Sequence, residues 1–339
     1  MLDHIILPDS ELAPFCEGSD LASKAHALLE QQKSSWELLR NGYESLNTVE
    51  TRTFDFEGFA VKLQFNPGRL TSSSAKVDPK SIRERKCFLC PANLPAKQRG
   101  IFWEDEYLIL CNPYPIFPEH FTISHRDHTP QRIVDTFDTL LDMSKSLQKR
   151  YTVFYNGPKC GASAPDHLHF QAGDKHFMPI DTEYEGVVGR MGTPIIERGS
   201  IRVYSVEGYL RRFIAFESDD AAALADAFRI LYRAFSEVAS GGDEPMMNIL
   251  SFCDSEGWRV VIFPRGKHRP SFFFAEGGRR ILLSPASVDL GGVCITPLEK
   301  DFQKITRKDI IEMFEEVSLP ASPFEHLRKA LRRELASTQ

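Results

Sequence analysis

Along the chain, apolar positions switch several times between a helical and an extended rhythm. Residues 19–46, SDLASKAHALLEQQKSSWELLRNGYESL, carry them at helical spacing and predict one or two helices. The segment TFDFEGFAVKLQFNPGRL then sets Phe54, Phe56, Phe59, Val61, Leu63 and Phe65 among polar residues and turn signals, which predicts strands. Residues 70–86 are polar and basic and predict a loop or extended arm. Strands are expected at 107–112, 120–125 and 151–156, with a helix over 131–150 and a strand at HLHFQAG. After a Pro/Gly/Glu-rich passage at 178–198 come strands at 201–206 and 212–217 and a helix at 219–239. Strands at 247–253 and 258–263 and a helical C-terminus from about 306 complete the pattern. Strands, helix and strands recur in both halves. A duplicated α+β unit is therefore expected, although no short-period repeat is present.

The strand at HLHFQAG departs from the others. Side chains alternate between faces along a strand, so His167, His169 and Gln171 share one face while Leu168, Phe170 and Ala172 enter the core. A polar stripe on a buried strand is costly unless it binds something. Its lead-in, NGPKCGASAP, holds Asn156, Gly157, Gly161 and Ser163, a small connection whose backbone N–H groups can cradle phosphate oxygens. A neutral imidazole beside such a cradle is a nucleophile toward phosphorus. Gln171 can donate its amide hydrogens to an oxygen that gains charge. Two satisfied core histidines are the alternative. Only the first half carries this stripe.

Two further groups of residues bear on chemistry. Cys87-Phe88-Leu89-Cys90 is half a zinc site or a redox pair. The following Pro91 and ANLPAKQRG do not open the helix expected of a thioredoxin-like pair. Zinc needs two more ligands, and His120, His125, His128 and His167 are the imidazoles of this half. Surface or core cysteines are the alternative. Arg69, Lys76, Lys80, Arg83, Arg85 and Lys86 precede the pair, and Arg265, Lys267, His268 and Arg269 lie in FPRGKHRPSFF. Each can neutralise a polyphosphate, with a solvated loop as the alternative for most of them, and Arg69, after the NPG turn, and Lys267 are singled out as the phosphate contacts.

Composition narrows the classes. At 339 residues, with 42% hydrophobic and 26% charged positions, the chain reads as a soluble globular protein of one large domain or two. A formal charge of −6 argues against coating nucleic acid. No apolar run approaches a bilayer span, and MLDHIILPDSELAPF lacks the basic start of a signal peptide. Seven scattered cysteines fit reduced thiols. A cytoplasmic protein without nucleic-acid or membrane partners is expected.

NPYPIFPEHFTISHRDHTPQRI followed by NGPKCGASAPDHLHFQAG resembles the histidine-triad superfamily, in the branch whose third triad histidine is glutamine. That branch includes galactose-1-phosphate uridylyltransferase, diadenosine tetraphosphate phosphorylase and GDP-L-galactose phosphorylase. HLHFQA with PQRI is most similar to the GDP-hexose phosphorylases, whereas CFLC resembles the uridylyltransferases and ADP-glucose phosphorylases. The motifs are specific over residues 60–175 and weaker over 245–300, and the N-terminal helices are not covered. The run from Ser163 to His167 is a residue longer than in those relatives.

The resemblance implies an α+β fold of two histidine-triad-like halves, with antiparallel sheets flanked by helices. Its expected units are an N-terminal helical segment at 1–50, a catalytic half at 51–185 and a second half with C-terminal helices at 186–339. It also implies that His169 attacks the α-phosphate of a nucleotide to give a nucleotidyl-histidine, with Gln171 as phosphate-binding partner and Ser163 as the loop serine. Cys87, Cys90, His128 and His167 become the candidate ligands of a structural zinc. The implied substrate is a nucleoside-diphosphate sugar, GDP-hexose first, with phosphate as acceptor. A dinucleoside polyphosphate or a UDP-sugar is the second choice, and a nucleotide-binding protein without turnover is the non-enzymatic one. Relatives of this kind often dimerise, which allows a homodimer.

Overall fold

A computed structural model describes residues 4–70, 78–239 and 244–337. Residues 71–77 of the expected arm, Lys76 among them, lie outside the described residues. The N-terminal helices are α1 (Leu21–Ser35) and α2 (Glu37–Glu44), parted by extended Trp36. The Asp20 side chain accepts the Ser23 N–H at 2.9 Å and starts α1 as an N-cap.

Ten strands form one continuous sheet. They are β3 (Gly100–Trp103), β4 (Tyr107–Cys111), β5 (His120–His125), β6 (Tyr151–Asn156), β7 (His169–Asp174), β8 (Gly192–Arg198), β9 (Ile201–Val206), β10 (Phe213–Ser218), β11 (Met247–Asp254) and β12 (Gly257–Pro264). Across the sheet they run β3-β4-β5-β7-β6-β11-β12-β10-β9-β8. Outward from the centre, β6-β7-β5-β4-β3 mirrors β11-β12-β10-β9-β8. Each half is a meander, a helix and a hairpin, the helices being α3 (Phe137–Ser146) and, in the second half, Ala221–Val238. The expected duplication is thus a topological one. The halves meet where β6 pairs antiparallel with β11, Asn156 opposite Asn248.

The two faces of this sheet differ. One is covered throughout by helices: Leu28, Leu29, Leu39 and Tyr43 from the N-terminal pair, α3, Ala221–Val238 and a C-terminal helix all join a single apolar cluster. Phe137 of α3 stacks on Phe228 at 3.9 Å and ties the halves together. On the other face only the second half is fully covered. The hairpin β1 (Glu50–Phe56) and β2 (Phe59–Phe65) adds β13 (Val293–Thr296) in parallel, making a separate three-stranded sheet. That sheet packs its Val61, Leu63 and Val293 with Tyr184, Val187, Ile310 and Phe314 against the large sheet. The first half keeps an open face beside β7, and the candidate site lies there.

The passage at 178–198 is ordered where the sequence shows mainly Pro, Gly and Glu. Pro179–Met191 is α4, followed by β8. Pro179 is at the first helical turn, where its missing N–H costs nothing, and Ile180, Tyr184 and Val187 bury one face. No helix among the described residues is long and apolar enough to cross a membrane.

Candidate active site

β7 sits inside the sheet between β5 and β6, with His169 opposite Ser124 and Gln171 opposite Thr122. Phe170 and Ala172 enter the helix-covered core, while His169 and Gln171 face a cleft of ≈ 700 Å³. The alternation read from the sequence holds for His169 and Gln171, whereas His167 lies before the strand, does not line the cleft and turns its Nδ1 to Cys87 instead. His169 Nδ1 lies 2.8 Å from the carbonyl oxygen of His167. A carbonyl only accepts, so Nδ1 carries the proton and Nε2 keeps a free lone pair. Burial pushes the His169 pKa down to about 4 against the opposing pull of that carbonyl, which keeps the ring neutral.

The orientation of Gln171 follows from a second imidazole. The Ile116 N–H donates to His120 Nδ1 at 3.2 Å, so the His120 proton resides on Nε2. That N–H donates to Gln171 Oε1 at 3.0 Å. With its oxygen taken, Gln171 offers its amide hydrogens to the cleft. Burial and then the nearby Arg69 charge push the His120 pKa down to about 3, so it donates from one nitrogen only.

The connection from β6 to β7 forms one wall. Gly161 has φ +98°, and a Cβ there would lie 2.5 Å from the Ala286 Cβ, so only glycine fits. Gly161, Ser163 and Asn156 all line the cleft. Asn156 Oδ1 accepts from Asn248 Nδ2 at 2.8 Å and from the Ser287 N–H at 2.9 Å, which turns its amide nitrogen toward the cavity. Arg85 donates to the Ser163 carbonyl at 3.0 Å and to Asp166 at 3.2 Å. Arg69 also lines the cleft and donates to the Tyr114 carbonyl at 2.6 Å. Lys267 is not brought there. Arg265 takes the carbonyls of Lys267 and His268, each at 3.0 Å, and the Lys267 side chain leaves outward to pair with Glu316 at 2.9 Å. Its neighbours His268 and Arg269 line the cleft instead.

Beside the start of β7, Cys87, Cys90, His128 and His167 bring their ligand atoms within 4.8 Å of one another. Cys87 Sγ lies 3.3 Å from His167 Nδ1, and Cys90 Sγ lies 3.2 Å from His128 Nδ1. The outer ring nitrogens are engaged: His167 Nε2 donates to the His125 carbonyl at 2.8 Å, and His128 Nε2 lies 3.6 Å from Asp166. This fixes both Nδ1 atoms as inward-facing ligands. Burial and the neighbouring Cys87 push the Cys90 thiol up to about 11, and a cation at this point would favour its thiolate. The donor set fits a closed tetrahedral metal site. Of the imidazoles in this half, His120 is committed to Gln171, while His125 contributes its carbonyl to His167.

Residues 28–174 match a family described as a domain of unknown function, DUF4922, and residues 189–338 match "GDPGP1-like, C-terminal domain". Galactose-1-phosphate uridylyltransferase of Bacillus subtilis (strain 168) is 25% identical over 191 residues. That alignment takes in 48% of this chain and 35% of the relative, so the chain spans about a third of that curated relative's length. The crystal structure of yeast Ap4A phosphorylase Apa2 superposes with a TM-score of 0.54 at 17% identity, over 84% of this chain and 94% of that one. The same enzyme in complex with Ap4A gives 0.51 at 17% identity, over 85% and 97%. The chain is related to the histidine-triad superfamily.

One buried residue of this histidine-triad relative was read from the sequence only as part of PQRI. Continuing the β6–β7 register past Phe154 and Gln171 puts Asn156 opposite His169. There the strands part, and the Gln131 side chain enters between them. Its amide donates to the carbonyls of Asn156 and His169, each at 3.0 Å, and its oxygen accepts the His169 N–H at 2.8 Å. Gln131 therefore replaces a rung of the ladder and opens the sheet at the candidate nucleophile. Replacement by leucine leaves three buried backbone groups unpaired, at a cost of about 2–5 kcal/mol. Urea unfolding measures this directly. An unchanged midpoint for Gln131→Leu contradicts the role. His120 was likewise hidden: its sequence signal, a histidine opening the strand HFTISH, does not show which side chain it faces.

Proposed function

We propose that the protein transfers a nucleotidyl group through His169, cleaving a nucleoside-diphosphate sugar with phosphate as acceptor. The carrying observation is the bare Nε2 of His169, fixed by the Nδ1–H to the His167 carbonyl, in a cleft shared with the free amide of Gln171. Nε2 attacks the α-phosphorus and the sugar 1-phosphate leaves without needing a proton. Gln171, Arg69 and the N–H groups of the loop through Gly161 and Ser163 bind the phosphoryl oxygens as charge builds on them. Phosphate then resolves the nucleotidyl-histidine to a nucleoside diphosphate. Phe88, Leu89, Leu94, Pro95 and Leu110 give the cleft an apolar end suited to a base.

GDP-hexose is the first choice of donor, on the HLHFQA string. The uridylyltransferase relative and the Ap4A phosphorylase fold support the reaction type rather than a particular base. Zinc is the metal that Cys87, Cys90, His128 and His167 would hold, binding the start of β7 to the segments before β3 and after β5. There it would be structural, with all four donors supplied by the protein. Seven free cysteines support a reducing, cytoplasmic setting.

The test is intact mass after brief incubation with GDP-, UDP- and ADP-sugars and with diadenosine tetraphosphate, without phosphate. A nucleoside-monophosphate adduct that phosphate discharges is the expected result, and its mass names the base. Tight nucleotide binding with no adduct from any donor makes this a binding protein instead.

A further inference from the structure

The second half sends one loop into the cleft, and its cations are not interchangeable. Lys267 is paired with Glu316 outside. Arg265 is fully consumed: its guanidinium donates to the carbonyls of Val317, Lys267, His268 and Pro285 and to Asn248 Oδ1. Arg269 differs. It lies over the Phe273 ring at 4.2 Å and donates from Nε to Ser284 Oγ at 3.1 Å. No carboxylate pairs with it among the described residues. Burial alone lowers its pKa, so its charge is partly dehydrated without a counter-ion. The His268 ring, beside it, makes no hydrogen bond among the described residues. Burial and then the Arg269 and Arg265 charges push its pKa down to about 4, which leaves a neutral ring. His268, Arg269 and Ser284 line the same cleft as His169.

The loop is also held in register with the first half. Arg265 Nη1 donates to Asn248 Oδ1 at 2.6 Å, and Asn248 Nδ2 donates to Asn156 Oδ1 and to the Cys160 carbonyl, both at 2.8 Å. A buried chain of bonds thus runs from the loop bearing Arg269 to the connection bearing Gly161 and Ser163. A half-buried guanidinium with no carboxylate partner among the described residues, lining the same cleft as His169, suits an anion, and its planar fork suits a phosphate group.

We propose that His268, Arg269 and Ser284 form a second phosphate subsite, for the phosphate group that leaves with the sugar and for the phosphate that later attacks. This rests on the nucleotidyl-transfer reading above. In the first step the Nε2–P bond forms as the P–O bond to the sugar phosphate breaks, its electron pair staying on that oxygen. In the second, an acceptor oxygen bonds to phosphorus, the P–Nε2 pair returns to the imidazole, and the acceptor's proton passes to water. Both groups occupy the side of phosphorus opposite His169, so one subsite serves both.

Calorimetry with GMP and GDP, and in parallel with UMP, UDP, AMP and ADP, tests this on wild type, Arg269→Gln and Arg269→Lys. Arg269→Gln should bind the monophosphate like wild type and the diphosphate about tenfold or more weaker, with part regained by lysine. A preformed adduct of Arg269→Gln should also need about tenfold or more acceptor for half-maximal discharge, for orthophosphate and for glucose 1-phosphate alike. Unchanged diphosphate affinity overturns the proposal, as does equal loss of both nucleotides, which puts Arg269 on the α-phosphate or base. Weakening with one acceptor alone overturns the shared subsite. Wild type that binds none of these nucleotides removes the reading of the site itself, and that outcome is visible before any variant is made.

Discussion

Replacing His169 with alanine should abolish the covalent adduct of the proposed double displacement and lower turnover by at least about 10⁴-fold. The size follows from the double displacement. Without Nε2, phosphate must attack the nucleotide directly from the side on which the sugar phosphate leaves, or from a position the imidazole used to fill. The first route is not in line with the leaving group, and the second, though in line, requires phosphate to bind where only an imidazole fitted. The loss is chemical rather than structural, because the imidazole makes one hydrogen bond, to the His167 carbonyl, while the backbone of His169 is held separately by Gln131. The variant should therefore melt within a few degrees of wild type and still bind nucleotide. Steady-state phosphorolysis and intact mass measure the two halves of this expectation. Residual turnover near one tenth of wild type would place the nucleophile elsewhere.

Protein purified without chelator should carry one equivalent of zinc per chain, and Cys87→Ser should lose it together with about 3 kcal/mol of stability. Four donors from three segments converge at this point, and Cys87 and His167 are 80 residues apart in the chain. A metal here would close two long loops at once and neutralise a Cys90 thiolate that burial otherwise disfavours. His167 is two residues from His169 and contributes the carbonyl that sets the tautomer of His169. Metal loss should therefore lower kcat as well as the melting temperature. Elemental analysis and thermal unfolding read the two effects. Zinc-free protein with an unaltered melting temperature would dismiss the site.

The features legible in the sequence were those with a short period or a local signature. Alternation placed His169 and Gln171 on one face and Phe170 and Ala172 on the other, because a strand repeats every two residues whatever lies around it. The same held for most strands and for the helices at 21–44 and 221–238. The pair Cys87 and Cys90 announced half of a site by spacing alone. The helix Pro179–Met191 was lost among turn formers, since its glycines and first-turn proline mask a buried face that only packing reveals.

Everything that depended on a distant partner was decided by the tertiary structure. Resemblance had named His128 and His167 as candidate ligands, yet their geometry arises from the His125 carbonyl, the Asp166 carboxylate and two cysteines outside the strand. Arg265 holds the Lys267 and His268 carbonyls, and beyond them Lys267 pairs outside with Glu316 while Arg269, two residues on, lines the cleft. Gln131 and His120 gained their roles because chain reversal brought them against β7, Gln131 satisfying its buried backbone and His120 orienting the side chain of Gln171. β2 found β13 more than 200 residues away. The sequence by itself determined which residues point the same way along an element, because backbone geometry is local. Which atoms they meet was decided only by the fold, because a buried polar group must take whichever partner the packed chain supplies.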